Sequence, residues 1–409
     1  MYYSKILIDE ICVNGKLEVH RKVIEDIFSA FELKPCSIAC KYNGTPSVTE
    51  FNPNGTIIRL DVKDRESPLN IIWDLMHEYG HFFNGSIDDK NDKNKIAISE
   101  YKAWRFADEF FDCFLELQQY RTEFNKYRQV CFSSYIEALQ LNYKVEPILR
   151  RHMPSLIELL GEQAISWTSI DRGLTDFIKG IRTEFYKTGE PILKETTFYS
   201  ILTEKTFGGN KADAMFDYYN LLFGELNAKM STTEKKPIRK IVYDLLANLN
   251  NSHMDCIGEL SVLNYYLDTG EYDFITIEEK INDDSNVSAD ISLRRKSDGQ
   301  KVLIEVLNLR LEKNNITDLE KMKYHLDSKF ADKKKKKHYS SSDILKIQPV
   351  LWYRDDQQFK WIRNFFIETG YSYVGILPPL VYCSLLIGDK KFKHIFDNII
   401  SIPDKLPLT

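Results

Sequence analysis

Residues 67–85 read SPLNIIWDLMHEYGHFFNG, with His77-Glu78-Tyr79-Gly80-His81 at the centre. Two histidines four positions apart emerge on one face of a helix, where both imidazoles can reach one ion. Glu78 beside them can take a proton from an attacking water and pass it to a leaving amine. Such chemistry needs a third protein ligand and one coordination position left open. Glu100 is the candidate. The stretch EYKAWRFADEF (100–110) reads as a helix with Glu100, Ala103, Trp104 and Ala107 along one stripe. Its alanines allow close approach to the histidine helix, and a carboxylate facing that contact is costly unless it is paired or binds metal. Simple packing of two histidines on an apolar helix is the alternative that spacing leaves open.

The elements that must position these groups are partly legible. Ser67 suits an N-cap, Pro68 the first helical turn and Gly85 the C-terminal end. Asp74 lies one turn before His77 and is a candidate to orient its ring. Upstream, 20–33 has helical apolar spacing, while 37–42 and 55–62 read as strands. From about 110 to 228 the chain is helical and rich in Phe, Tyr and Leu, and Pro237 marks a linker or helix start in 234–240.

HEYGH followed by Glu100, Ala103, Phe106 and Ala107 (ExxAxxFA), with the strand-like TIIRL upstream, resembles the ImmA/IrrE family of bacterial zinc peptidases. The resemblance spans roughly residues 20–115. It implies a compact thermolysin-like core with His77, His81 and Glu100 as Zn²⁺ ligands and Glu78 as general base. It also implies cleavage of a protein partner, typically a DNA-binding repressor controlling stress or mobile-element genes. The segment SIDDKNDKNKIAIS (86–99) has no assignable counterpart in that family and reads as a solvated loop or a rim of the cleft.

The C-terminal region has a different pattern. A helix near 257–267 precedes strand-like runs at 271–281, 286–295 and 301–311, then a polar helix near 315–330 and a strand at 347–353. This αβββαβ order resembles the PD-(D/E)xK nucleases. By that resemblance Glu259, Asp290 and Glu305 form a second metal site, suited to Mg²⁺ through carboxylate oxygens. The lysine expected two residues after Glu305 is instead Leu307, and Lys321 or Lys323 is the candidate replacement. Lys333, Lys334, Lys335, Lys336 and Lys337 form a run that suits either a solvated loop or phosphate contacts with nucleic acid. Beyond it, 355–368 reads as a helix and 371–377 as a strand.

Composition bounds the rest. With 409 residues, 43% of them hydrophobic, the chain has material for two or three cores, and its net charge of −5 gives no global case for nucleic acid or membrane. No run approaches a bilayer span, and no secretory leader is evident at the start. Seven scattered cysteines fit reduced thiols in a cytoplasm, and the Cys36/Cys40 pair lacks a second ligand pair for zinc. The expected fold class is α+β: a thermolysin-like zinc peptidase core over 1–115, a helical region over 116–235 and a degenerate α/β nuclease-like domain, lacking the expected lysine, over 236–409. The expected activity is zinc-dependent cleavage of a protein partner in the cytoplasm. A nuclease effector or nucleic-acid-binding protein with the zinc fold as a regulatory module is the rival, and a non-enzymatic binding protein is a third reading.

Overall fold

The computed structural model describes residues 5–63, 65–89, 91–161, 165–188, 198–209, 213–247, 253–280, 288–309, 316, 318–336, 344–352, 356–368, 377–387 and 391–401. It is mixed α and β, and it divides into two compact units: residues 1–144 with 168–210, and residues 145–167 with 211–409. The division differs from the three domains expected from sequence. The helices of 116–235 are shared out between the two units, because their apolar faces pack on different cores.

In chain order the elements begin with α1 (Lys5–Asn14), α2 (Arg21–Phe31), β1 (Ser37–Lys41), β2 (Val48–Asn52), β3 (Gly55–Asp61), α3 (Leu69–Asn84), α4 (Lys93–Phe111) and α5 (Arg121–Leu139). There follow α6 (Val145–His152) and α7 (Pro154–Leu160), which belong to the second unit, then α8 (Trp167–Thr188) and α9 (Phe198–Thr206), most of which return to the first. The three strands of the first unit run in the order β1-β3-β2, with β3 parallel to β1 and antiparallel to β2. The expected strands at 37–42 and 55–62 are therefore present, and β2 is an edge strand that the apolar pattern did not reveal.

Helix α3 is buried at every residue from Leu69 to Gly80, as expected for a helix apolar on nearly all sides. Trp73 sits at its centre, with ring centroids 5.4 Å from Phe111 and 5.3 Å from Phe124. Tyr79 stacks on Phe31 of α2 at 3.6 Å and donates its hydroxyl to the Lys34 carbonyl. Gly85 ends the helix with φ +87°, a conformation that favours glycine. At the other end Pro68 occupies the cap position, and Ser67 does not cap. Its hydroxyl donates to Glu123 instead, at 2.6 Å.

The second unit adds α10 (Asp213–Lys229), α11 (Lys235–Ala247), α12 (His253–Asp268), β4 (Tyr272–Lys280), β5 (Ser288–Arg295), β6 (Lys301–Leu309), α13 (Leu319–Lys336), β7 (Ile344–Trp352), α14 (Asp356–Glu368), β8 (Leu380–Ile387) and β9 (Lys391–Asn398). The segment 234–240 is a helix start, and Pro237 falls in the first turn of α11, where its missing N–H is harmless. The strands form one sheet ordered β4-β5-β6-β7-β8-β9, antiparallel at both ends and parallel between β6, β7 and β8. The αβββαβ order expected for 257–353 is present as α12 to β7. The strand expected at 371–377 falls almost wholly outside the described residues, and β8 and β9 extend the sheet beyond it.

One face of β6 and β7 meets α12, where the Tyr266 hydroxyl donates to Gln348 Oε1 at 2.9 Å. Gln348 is 1% exposed, and its amide nitrogen donates to the carbonyls of Pro349 and Pro378. The other face carries Leu307, Leu309, Ile347 and Leu351 against Met322 and Leu326 of α13 and Phe365 of α14. Removing the hydroxyl in Tyr266→Phe leaves a buried acceptor unsatisfied, so chemical denaturation should show the second unit destabilised by about 1–3 kcal/mol.

Candidate metal centre

His77 and His81 lie on α3 and Glu100 on α4, and the two helices touch along the alanine stripe. Ala103 and Ala107 are buried, as the sequence pattern predicts, and Ala97 is buried as well. Gly80 is the matching feature on α3: a Cβ there would stand 2.6 Å from the Ala103 carbonyl oxygen and 3.0 Å from its Cα. The backbones therefore meet with no side chain between them, one turn from Glu100.

The ligand atoms converge. His77 Nε2 lies 3.1 Å from His81 Nε2, while the two Glu100 oxygens lie 3.3 Å from His77 Nε2 and 3.3 Å from His81 Nε2 respectively. Tetrahedral ligands on bonds of about 2.0–2.1 Å stand about 3.3 Å apart, so the separations suit a tetrahedral ion held by three protein atoms. His77, Glu78 and Glu100 are each under one-tenth exposed, and His81 is partly exposed. Among the described residues this is the one group of three His, Cys, Asp or Glu side chains that could hold a metal ion. Cys36 and Cys40 belong to no such group.

The charges in this cluster oppose burial. Desolvation works to raise the Glu100 carboxyl, but hydrogen bonds from His77 and His81 and their charge outweigh it and bring it down to about 2. Desolvation likewise works to lower His81, and the Glu100 carboxylate outweighs it, leaving His81 above its ordinary value. The Glu100 carboxylate and the His81 ring thus stabilise each other's charged forms.

Surrounding residues fix the ligands. The His77 ring stacks on Trp104 with centroids 4.0 Å apart, and Ser99 Oγ lies 3.3 Å from His81 Nδ1. Ser99 belongs to the segment 86–99, half of which is helical rather than loop: Asp92 caps α4 by accepting from the Asn94 and Lys95 N–H groups. Asp74 does not orient His77. Its carboxylate accepts from Arg65 at 2.6 Å, Tyr127 at 2.6 Å and Ser47 at 2.9 Å, and His77 Nδ1 has no hydrogen-bond partner among the described residues. Asp74 therefore fastens α3 to α5 and to the strand-side loop one turn below the site. Two residues escaped the sequence pattern. Thr49 of β2 places its hydroxyl 2.8 Å from Glu78 Oε2 and 2.8 Å from the Glu78 carbonyl oxygen. Tyr135 of α5, partly exposed, is raised by burial and by the Glu100 and Glu78 carboxylates, so its hydroxyl stays protonated beside them.

The second expected site is not assembled in the same way. Glu259, Asp290 and Glu305 form no group of three converging ligands among the described residues. Asp290 Oδ2 accepts the Val306 N–H at 2.8 Å, continuing the β5–β6 ladder, and Glu305 is 1% exposed. Lys321 and Lys323 are exposed on α13, with Lys321 paired to Asp318, while Met322 and Leu326 take the inward face. Neither lysine replaces the one missing at Leu307. Lys333 to Lys336 continue α13 as helix rather than loop, and Lys337 lies outside the described residues. No described helix is long and apolar enough to cross a membrane.

Comparison with models of known families, with curated proteins and with solved structures finds no match for this chain. The site therefore has to be read from its own geometry.

Two outcomes follow from that geometry. Gly80→Ala should cost about 1–3 kcal/mol by overpacking and should weaken metal binding, because the helices must separate and carry Glu100 away from the histidines. Paired denaturation and metal titrations would measure both effects. Metal binding should also release protons near pH 6.5, since His81 is protonated up to its raised pKa and ligation needs the neutral ring. Affinity should therefore rise with pH through that pKa and then level off. Glu100 should release none above about pH 4, its carboxyl being held near 2. Calorimetric titrations in buffers of different ionisation enthalpy read the proton count directly.

Proposed function

We propose that the protein is a zinc-dependent endopeptidase of the ImmA/IrrE type that cuts a specific protein partner in the cytoplasm. The observation that carries this reading is the buried trio His77, His81 and Glu100 with Glu78 adjoining it on α3. Two imidazoles and one carboxylate, spaced for tetrahedral coordination, are a donor set that zinc peptidases use. The partner class rests on the family resemblance of HEYGH and ExxAxxFA, which favours a DNA-binding repressor in stress response or defence against mobile elements. The thermolysin-like character of residues 1–115 rests on the same resemblance.

In this reading His77, His81 and Glu100 would hold the ion, and zinc bound there would supply Lewis acidity that brings the pKa of water toward about 7. Glu78 takes the proton of the attacking water and later delivers it to the departing amine. Its burial keeps bulk water from competing for that proton, and its carboxylate is near enough to the His81 ring to act on it electrostatically. Trp104 holds the His77 ring from one side, so the imidazole cannot rotate away. Tyr135, which feels the charges of both Glu78 and Glu100, is the candidate hydroxyl to donate to negative charge developing on the carbonyl oxygen. The nuclease alternative draws on the αβββαβ order, the Asp290 and Glu305 hairpin and the lysine run, but among the described residues its carboxylates form no converging group and Lys321 and Lys323 are exposed.

Purified protein should carry about one zinc per chain, as a three-ligand site requires. Glu78→Gln should retain that zinc and lose cleavage of a proteome-derived peptide library, read by mass spectrometry. A zinc-free protein from a zinc-replete preparation, or undiminished cleavage by Glu78→Gln, sinks the reading.

A further inference from the structure

The geometry points to Thr49 as the positioning residue that aims the Glu78 carboxylate, an inference that rests on the peptidase reading above. Glu78 is buried, and a buried carboxylate without a hydrogen-bond donor is both costly and free to swing about its last torsion. Thr49 Oγ1 lies 2.8 Å from Glu78 Oε2 and 2.8 Å from the Glu78 carbonyl oxygen, although it carries a single proton. The carbonyl already serves the α3 ladder as acceptor for the residue four positions on. The carboxylate has the stronger claim, because a hydrogen bond to an ionised acceptor is the stronger one. The threonine proton therefore goes to Oε2 and leaves Oε1 to face the reacting water.

Thr49 can do this because of where β2 runs. Strand β2 is the edge of the three-stranded sheet, and Thr49 is held opposite Ile58 of β3 in an unbroken antiparallel register. Its neighbour Glu50 points the other way, where Arg59 Nε donates to Glu50 Oε1 at 2.7 Å. Alternation along the strand thus turns Thr49 toward α3 and fixes its hydroxyl against the helix. The stiff χ1 of a β-branched residue holds it there. Position rather than mere presence matters: misplacing a reacting group by about 1 Å can cost on the order of a hundredfold in rate.

The test uses the full chain, zinc-loaded, on those library peptides that wild-type protein cuts and Glu78→Gln does not. Thr49→Val keeps the shape and suits a strand but removes the donor, whereas Thr49→Ser restores a hydroxyl. The expected result for Thr49→Val is an unchanged zinc content and KM with kcat lower on the order of tenfold or more. Thr49→Ser should return close to wild type. An independent readout is a crystal structure of each metal-free variant. The Glu78 carboxylate should leave its single position in Thr49→Val and keep it in Thr49→Ser. Unchanged kcat in Thr49→Val overturns the assignment, whatever the carboxylate does, while the peptidase reading stands. Wild-type protein that binds zinc and cuts no library peptide overturns both. Should Thr49→Val fail to fold, Thr49→Ala reads the same comparison.

Discussion

A glycine at position 80 leaves α3 and α4 in backbone contact, and the three candidate ligand side chains meet only because of it. A Cβ there would press on the Ala103 carbonyl at 2.6 Å, so no other residue lets the helices pack at this distance without a shift. His77 and His81 flank Gly80 on the same helix, and Glu100 lies one turn before Ala103 on the other. Close approach brings the Glu100 oxygens to 3.3 Å from both imidazoles. Such contact between helices is ordinarily apolar, and placing a carboxylate in it costs desolvation. The imidazoles offset that cost through hydrogen bonds and charge, and this is why Glu100 is an acid held near 2 while enclosed in the core.

Two further helices keep the pair from sliding. Helix α5 is tied to α3 through Tyr127 and Asp74, and to α4 through Asp108, which binds Arg121 at 2.7 Å and Arg128 at 2.9 Å. Helix α9 reaches α4 from another side: the Tyr101 hydroxyl donates to Glu204, Arg105 lies 3.6 Å from the same carboxylate, and the Tyr101 ring stacks near Phe207. These polar contacts are mostly shielded, so they bear on the geometry of α4 more than an exposed ion pair does. Register between α3 and α4 decides whether Glu100 faces the histidines, since one turn of slippage displaces it by about 5.4 Å. A site built between two helices needs such bracing, whereas one built within a single helix does not.

The sequence was most informative where one element supplies its own evidence. The HEYGH spacing lies inside a single helix, and the stripe of Ala103, Trp104 and Ala107 inside another, so both patterns survive without knowledge of the fold. Gly85 was equally readable, because a positive φ at a helix end has few other residues to choose from. Ser67 misled for the complementary reason. A serine before a helix is a good cap in isolation, but here Glu123, 56 residues away, takes its hydroxyl. Asp74 misled in the same way, since Arg65, Ser47 and Tyr127 all claim its oxygens from other elements. Thr49 was invisible because its strand is short and half-buried, with an apolar pattern too weak to mark it, and its partner Glu78 lies 29 residues away.

The second unit shows why element order constrains chemistry less than the faces on which residues fall. Its αβββαβ succession is present, but side chains alternate along β6, so neighbouring positions look to opposite sides of the sheet. Asn308 and Gln348 fall on the side of α12, where the Asn308 amide stands where a Cβ at Gly258 would go. Glu305 alternates onto the side of Leu307 and Leu309, which pack against α13 and α14. The helix that bears Glu259 thus covers the face opposite to Glu305. A carboxylate cluster would need Glu259 to reach around the sheet rather than across a shared cleft. Asp290 meanwhile spends one oxygen on the Val306 N–H, where it extends the strand pairing. Glu259, Asp290 and Glu305 form no converging group among the described residues, whereas His77, His81 and Glu100 converge on a point that no packing requirement of α3 and α4 explains.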